Sequence, residues 1–159
     1  MNGTAPADSP LQKKKPREKP HYVNNRDFST AVRDYVAETK ERKSRGLEGN
    51  EIPRYIGECF VKIAEGLSHK SNWVRYTYRD EMVADGIENC VRAIGNFDID
   101  RPTRTGLPNA FAYFTQICYF AFLRRLAKED KQQKIKEKLI ESGDIGSFAE
   151  FDGDSGAIG

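Results

Sequence analysis

The stretch NAFAYFTQICYFAFLRRLAKED, residues 109–130, decides how the chain is read. Its first half carries Phe111, Tyr113, Phe114, Tyr119, Phe120 and Phe122, and its second half turns charged, with Arg124, Arg125 and Lys128. A surface helix of a globular domain has one apolar stripe and one polar face. As a helix, this stretch would carry aromatics more than halfway round. Either it is the central core element of a small helical domain, or some of its rings meet something other than the protein's own interior. Flat rings beside guanidinium groups suit single-stranded nucleic acid, whose bases stack on the rings while its phosphates meet the cations. Pattern alone leaves both readings open.

Outward from this stretch, three shorter segments repeat apolar residues at helical spacing. Phe28, Val32, Tyr35 and Val36 predict a helix from Asn25, a good capping residue, to about Lys43. Ile52, Ile56, Phe60, Ile63, Ala64 and Leu67 predict a second over residues 51–67, with Pro53 tolerated in its first turn. Met82, Val83, Ile87, Val91 and Ile94 predict a third over residues 80–94. Its opposite face carries Glu81, Asp85 and Glu88, acids that also suit a helix N-terminus. Glycines and prolines mark residues 44–50 and 96–108 as loops. The segment HKSNWVRYTYR, residues 69–79, has no clear period, and Trp73, Tyr76 and Tyr78 are expected to pack over the helices. The last helix starts at Pro108 or Asn109 and reaches as far as Ile140, but its second half has too few apolar residues for a core and should project. No strand-like alternation appears. The fold class is therefore all-α, a bundle of about four main helices with disordered ends.

A chain of 159 residues is about one domain's worth. Residues 1–20 hold five basic and two acidic side chains among four prolines, and read as a disordered basic tail. Residues 21–140 form the helical domain, and residues 141–159 an acidic, flexible tail. Residues 124–141 carry seven basic and four acidic side chains just before that tail, an asymmetry expected where a nucleic acid or charged partner is approached. No run nears the length of a membrane span and no apolar signal core opens the chain, so a cytosolic protein without a membrane partner is expected. Cys59, Cys90 and Cys118, odd in number and each among apolar neighbours, read as buried free thiols.

Catalytic patterns are missing: there is no GxxxxGK[ST], GxGxxG, HExxH or nucleophile elbow. Asp98 and Asp100 can be imagined holding a metal with Glu88, but loop acids of this kind are usually solvated. His21 and His69 stand apart in sequence. Neither an enzyme nor a cofactor is expected, which leaves binding. The acidic face of the third helix suits a basic protein partner, and the aromatic-basic helix suits melted DNA.

That order of parts carries a resemblance. EMVADGIENCVRAIGNFD, residues 81–98, resembles conserved region 2 of bacterial sigma factors, with an acid, two apolar residues, an acid-glycine pair and a terminal Phe-Asp. AYFTQICYFAFLRRLAKE, residues 112–129, is similar to the promoter-melting helix of that region. Together with HYVNN at 21–25, IAEGLS at 63–68 and NFD followed by NAFAYFTQICYFAF, the chain resembles the late-transcription sigma factors of T-even-like bacteriophages over about residues 22–138. The resemblance implies a protein of the infected host's cytoplasm that binds host core RNA polymerase and directs it to late promoters. Glu81, Ala84, Asp85, Glu88 and Val91 would dock on the clamp helices of the largest polymerase subunit, although Ala84 and Ile87 stand where the family has polar residues. The last helix would recognise and melt a minus-ten-like, AT-rich element, chiefly through the non-template strand. The family's paired tryptophans fall on Thr115 and Gln116, which makes Tyr113, Phe114 and Tyr119 the stacking candidates. Arg124, Arg125 and Lys128 would meet backbone phosphate. Phe111, Cys118 and Phe122 are left for the core. SFAEFD, residues 147–152, loosely resembles the family's tail for the phage sliding clamp, with Phe148 and Phe151 as its contacts and a co-activator as a further implied partner. The alternative, from another class, is a polymerase-binding regulator of anti-sigma or appropriator type that never contacts DNA.

Overall fold

A computed structural model describes Gly3 and residues 19–143 of the chain. The remainder of both tails, with Phe148 and Phe151, lies outside the described residues. Four α-helices follow in order: α1 (Asn25–Ser44), α2 (Arg54–Ser68), α3 (Arg79–Ala93) and α4 (Ala110–Glu141). A single 3-10 turn, Ile94–Asn96, follows α3. Among the described residues there is no strand, and the fold is all-α as expected. No described helix is long and apolar enough to cross a membrane.

Capping explains where α1 and α4 begin. The Asn24 side chain accepts from the Asp27 N–H at 3.1 Å and so caps α1. Asn25, the expected cap, instead reaches across the fold: its carbonyl oxygen accepts from the Phe111 N–H at the start of α4, and its amide donates to Asn109. Ser29 does the same from one turn further along, accepting the Ala110 N–H at 3.0 Å while its residue is wholly buried. Asn109 caps α4 in its own right through the Ala112 N–H. Two side chains of α1 and the cap residue Asn109 thus satisfy N–H groups that would otherwise be left unpaired at the start of α4.

The core is largely aromatic. Phe114 of α4 lies against Phe60 at a centroid distance of 4.7 Å, Phe28 at 5.7 Å and Phe97 at 5.9 Å. Along α4 the buried positions are Ala110, Phe114, Cys118, Ala121 and Phe122, mostly one helical turn apart. Two sequence expectations change here. Phe114, assigned to stacking, is the centre of the core with no exposed surface, and Phe111, assigned to the core, is 38% exposed. Trp73 from the aperiodic segment is buried edge-on against Phe122, as anticipated.

The widest interface is between α3 and α4, and one glycine permits it. A Cβ on Gly86 would sit 3.2 Å from both the Cys118 sulfur and a Phe122 ring carbon, and 3.5 Å from the Ala64 Cβ. Cys90, one turn on, places its sulfur 3.5 Å from that of Cys118. All three cysteines are buried free thiols. Hydrogen bonding to Cys118, then burial, pushes the Cys90 thiol far up, and burial raises Cys59, so both stay protonated.

Beyond the bundle, α4 continues as a projection. The helix is about 48 Å long at 1.5 Å per residue, and from Asp130 to Glu141 every residue except half-buried Leu139 is exposed. Gly86→Val should push branched methyl groups into Cys118, Phe122 and Ala64. We expect a loss of about 1–3 kcal/mol in a urea melt, the usual range for overpacking. An unchanged midpoint would mean that α3 and α4 do not approach this closely.

Candidate nucleic-acid interface

Because Phe114, Cys118 and Phe122 face inward, helical geometry turns Gln116, Tyr119, Phe120 and Leu123 outward. Tyr119, Phe120 and Leu123 are 42%, 47% and 37% exposed, which makes a contiguous apolar row rather than scattered single residues. The rings are backed by the core. Tyr119 stands edge-on to buried Trp73 at 5.8 Å, and Phe120 stands edge-on to Tyr119 at 5.9 Å. Phe120 and Leu123 were not among the residues expected at this face. The four-residue spacing of Phe114, Cys118 and Phe122 would have identified them, had Phe114 been read as the inward residue.

Tyr113 lies at the upper end of this face. It is half-buried, its ring 5.0 Å from that of Phe97, and burial followed by the neighbouring Cys90 raises its phenol above the ordinary value. It therefore remains a hydrogen-bond donor at physiological pH. A cleft of about 500 Å³ opens beside it, lined among others by Arg101, Gln116, Asn96 and Asp98. Thr115 and Gln116, where the resembled family carries tryptophans, divide differently: the Thr115 hydroxyl is buried without a hydrogen-bond partner, and Gln116 is exposed in the cleft.

The three cations separate as well. Lys128 is exposed, and no carboxylate among the described residues pairs with it. Arg124 is exposed and donates to the Asn89 side-chain oxygen at 3.0 Å. Arg125 is engaged within the protein. Its guanidinium makes two bonds to Asp85, at 2.6 and 2.9 Å, and lies 3.5 Å from Glu129, with only 18% of its side chain exposed. Those bonds to Asp85 push its pKa upward. A bidentate, partly desolvated pair of this kind is among the stronger polar contacts. Arg125 is thus a tie between α3 and α4 rather than a free phosphate ligand, and Asp85 is correspondingly less available to an outside partner.

The remaining α3 candidates stand on one face. Glu81, Ala84, Glu88 and Val91 are exposed, and Asp85 lies at the edge of that face nearest α4. Glu88 pairs with Arg92 at 2.6 Å, so this face is less acidic than its sequence suggests. Val91, expected on the apolar side, is 46% exposed.

Other sequence candidates resolve simply. Asp98 accepts from the Asp100 N–H at 3.0 Å and shapes its own loop. Among the described residues no three His, Cys, Asp or Glu side chains gather as they would around a metal. His21 and His69, apart in sequence, stack at 5.0 Å, and His21 lies 3.6 Å from Glu65.

No protein-family model matches this chain, and no curated protein matches it. The Asp85–Arg125 contact can be measured directly. In a double-mutant cycle with Asp85→Ala and Arg125→Ala, we expect a coupling of about 1–3 kcal/mol, the range for contacting residues in one network. Additive losses would show that the pair contributes nothing to the α3–α4 interface.

Proposed function

We propose that the chain is a sigma-like initiation subunit, of the kind phages use for late genes. In this reading it docks on bacterial core RNA polymerase through α3 and holds a melted, AT-rich promoter element on α4. The observation that carries the proposal is the exposed row of Tyr119, Phe120 and Leu123 with Arg124 and Lys128 on its flank. Exposed rings offer a stacking platform to unpaired bases, and the neighbouring cations attract the phosphates. Duplex DNA offers no free base face, so a surface of this kind favours a strand already opened. Tyr113 and its cleft add room for a base and polar groups to hydrogen-bond its edge. The ordered motifs of residues 81–98 and 112–129 support the same reading.

Within this proposal, Tyr119 keeps its expected stacking role, Phe120 takes the place of buried Phe114, and Arg124 and Lys128 carry the phosphate contacts without Arg125. The α3 face supplies Glu81, Ala84, Glu88 and Val91 to the polymerase clamp helices, with Asp85 contributing from its edge. An exposed valine among acids suits a basic helical partner with an apolar seam.

The competing regulator reading, polymerase binding without DNA contact, gains from two observations: Phe114 is core and Arg125 is paired. It leaves the Tyr119–Leu123 row without a role. Crosslinking of promoter complexes separates the two, because the regulator reading predicts no adducts to the non-template strand.

The direct test is run-off transcription from a late promoter with host core polymerase and the purified chain. A promoter-dependent transcript is expected, and its absence would sink the proposal. Arg124→Ala with Lys128→Ala should weaken promoter-complex formation about tenfold, or 1.4 kcal/mol, and leave polymerase binding unchanged. Equal loss of both activities would place these residues in the fold instead.

A further inference from the structure

A cleft of about 670 Å³ lies away from the aromatic row, between α1 and the loop leading into α4. Arg26 and Arg33, two helical turns apart on α1, both line it, and none of its lining residues is acidic. The Arg26 guanidinium has no carboxylate partner among the described residues. Arg33 only grazes Asp34, at 3.4 Å, in a pair largely open to water, a contact of little strength. Thr30, on α1 between them, also lines the cleft, and the loop residues Thr105, Gly106 and Leu107 complete the lining. The amino end of α4 meets the rim of the cleft. Its first N–H groups are already taken by Ser29 and Asn25, so it contributes the positive field of the helix terminus rather than free donors.

Position adds a second argument. Pro108 and Asn109 line this cleft and also the Tyr113 cleft, so the two lie back to back across the start of α4. A strand with a base beside Tyr113 would cross Asn109 and bring its next phosphates between the arginines. Guanidinium groups match phosphate oxygens in a forked, bidentate geometry that ignores base identity.

We propose that the Arg26–Arg33 cleft holds the phosphodiester backbone of a single DNA strand whose bases engage the Tyr113 side of α4. This rests on the reading of α4 as a DNA-binding helix and extends the footprint to α1.

The test uses the full chain and a labelled, AT-rich single strand of about 12 nucleotides, with affinity measured across a salt series. Each phosphate contact to a single strand contributes about 0.7 to the slope of log affinity against log salt. Arg26→Ala with Arg33→Ala should therefore flatten the slope by about 1.4 and weaken low-salt binding about tenfold. Both side chains are exposed and alanine favours helix, so the fold should hold. Arg26→Gln with Arg33→Gln should reproduce the loss if charge is what matters. An unchanged slope and affinity in these variants, while Arg124→Ala with Lys128→Ala weakens binding, would overturn the cleft and leave the α4 reading intact. If the unmodified chain binds no single strand at any salt, the cleft and the α4 reading fall together.

Discussion

The close approach of α3 to α4 at Gly86 is the contact on which the rest of this structure depends. Without a side chain there, the Cys118 sulfur and the Phe122 ring come against the α3 backbone. The approach also brings Asp85 within bonding distance of Arg125, and Asn89 within reach of Arg124. A larger residue at position 86 would separate all of these at once. The acid-glycine pair of α3 therefore has a plain structural role: the glycine sets the distance and the acid locks it.

Once that distance is set, the rotation of α4 about its axis is decided. Phe114 enters a cluster with Phe28, Phe60 and Phe97. Tyr119, Phe120 and Leu123 are then turned to solvent whatever their hydrophobicity. The surface so formed is stiff, because Trp73 props Tyr119 and Phe97 props Tyr113. On the proposed reading, a preordered stacking face would lose less rotamer freedom when a base arrives than loose side chains would. The same rotation points the start of α4 at α1, where Asn25 and Ser29 complete its capping and leave Arg26 and Arg33 facing the adjoining cleft.

Much of the architecture was legible from residue spacing. Phe28, Val32, Tyr35 and Val36 all face the core of α1, and Ile56, Phe60, Ile63 and Ala64 that of α2. In those helices apolar and polar residues alternate at helical period, so the buried side is written in the pattern. The candidate site was legible only in outline. In the first half of α4 nearly every large residue is aromatic or aliphatic, so hydrophobicity no longer separates inside from outside, and Phe111 and Phe114 exchanged places. Arg125 differs from Arg124 by one residue, yet that single step, about 100° round a helix, gives it the carboxylate of Asp85 where exposed Arg124 meets only the neutral Asn89 amide.

By itself, then, the sequence determined the all-helical character of the described residues, their four segments, the buried thiols and an aromatic-to-basic last helix. It placed the helix ends to within a residue or so, except the start of α2, which begins at Arg54 rather than residue 51. Those properties follow from local rules of period, capping and composition, which act between residues close in the chain. Tertiary structure decided which ring is core, which arginine is tied to a carboxylate, and that Asn25 would cap α4 rather than α1. Each of those outcomes depends on a contact between residues far apart in sequence, from Gly86 with Cys118 to Asn25 with Phe111, and no local pattern specifies such a pairing.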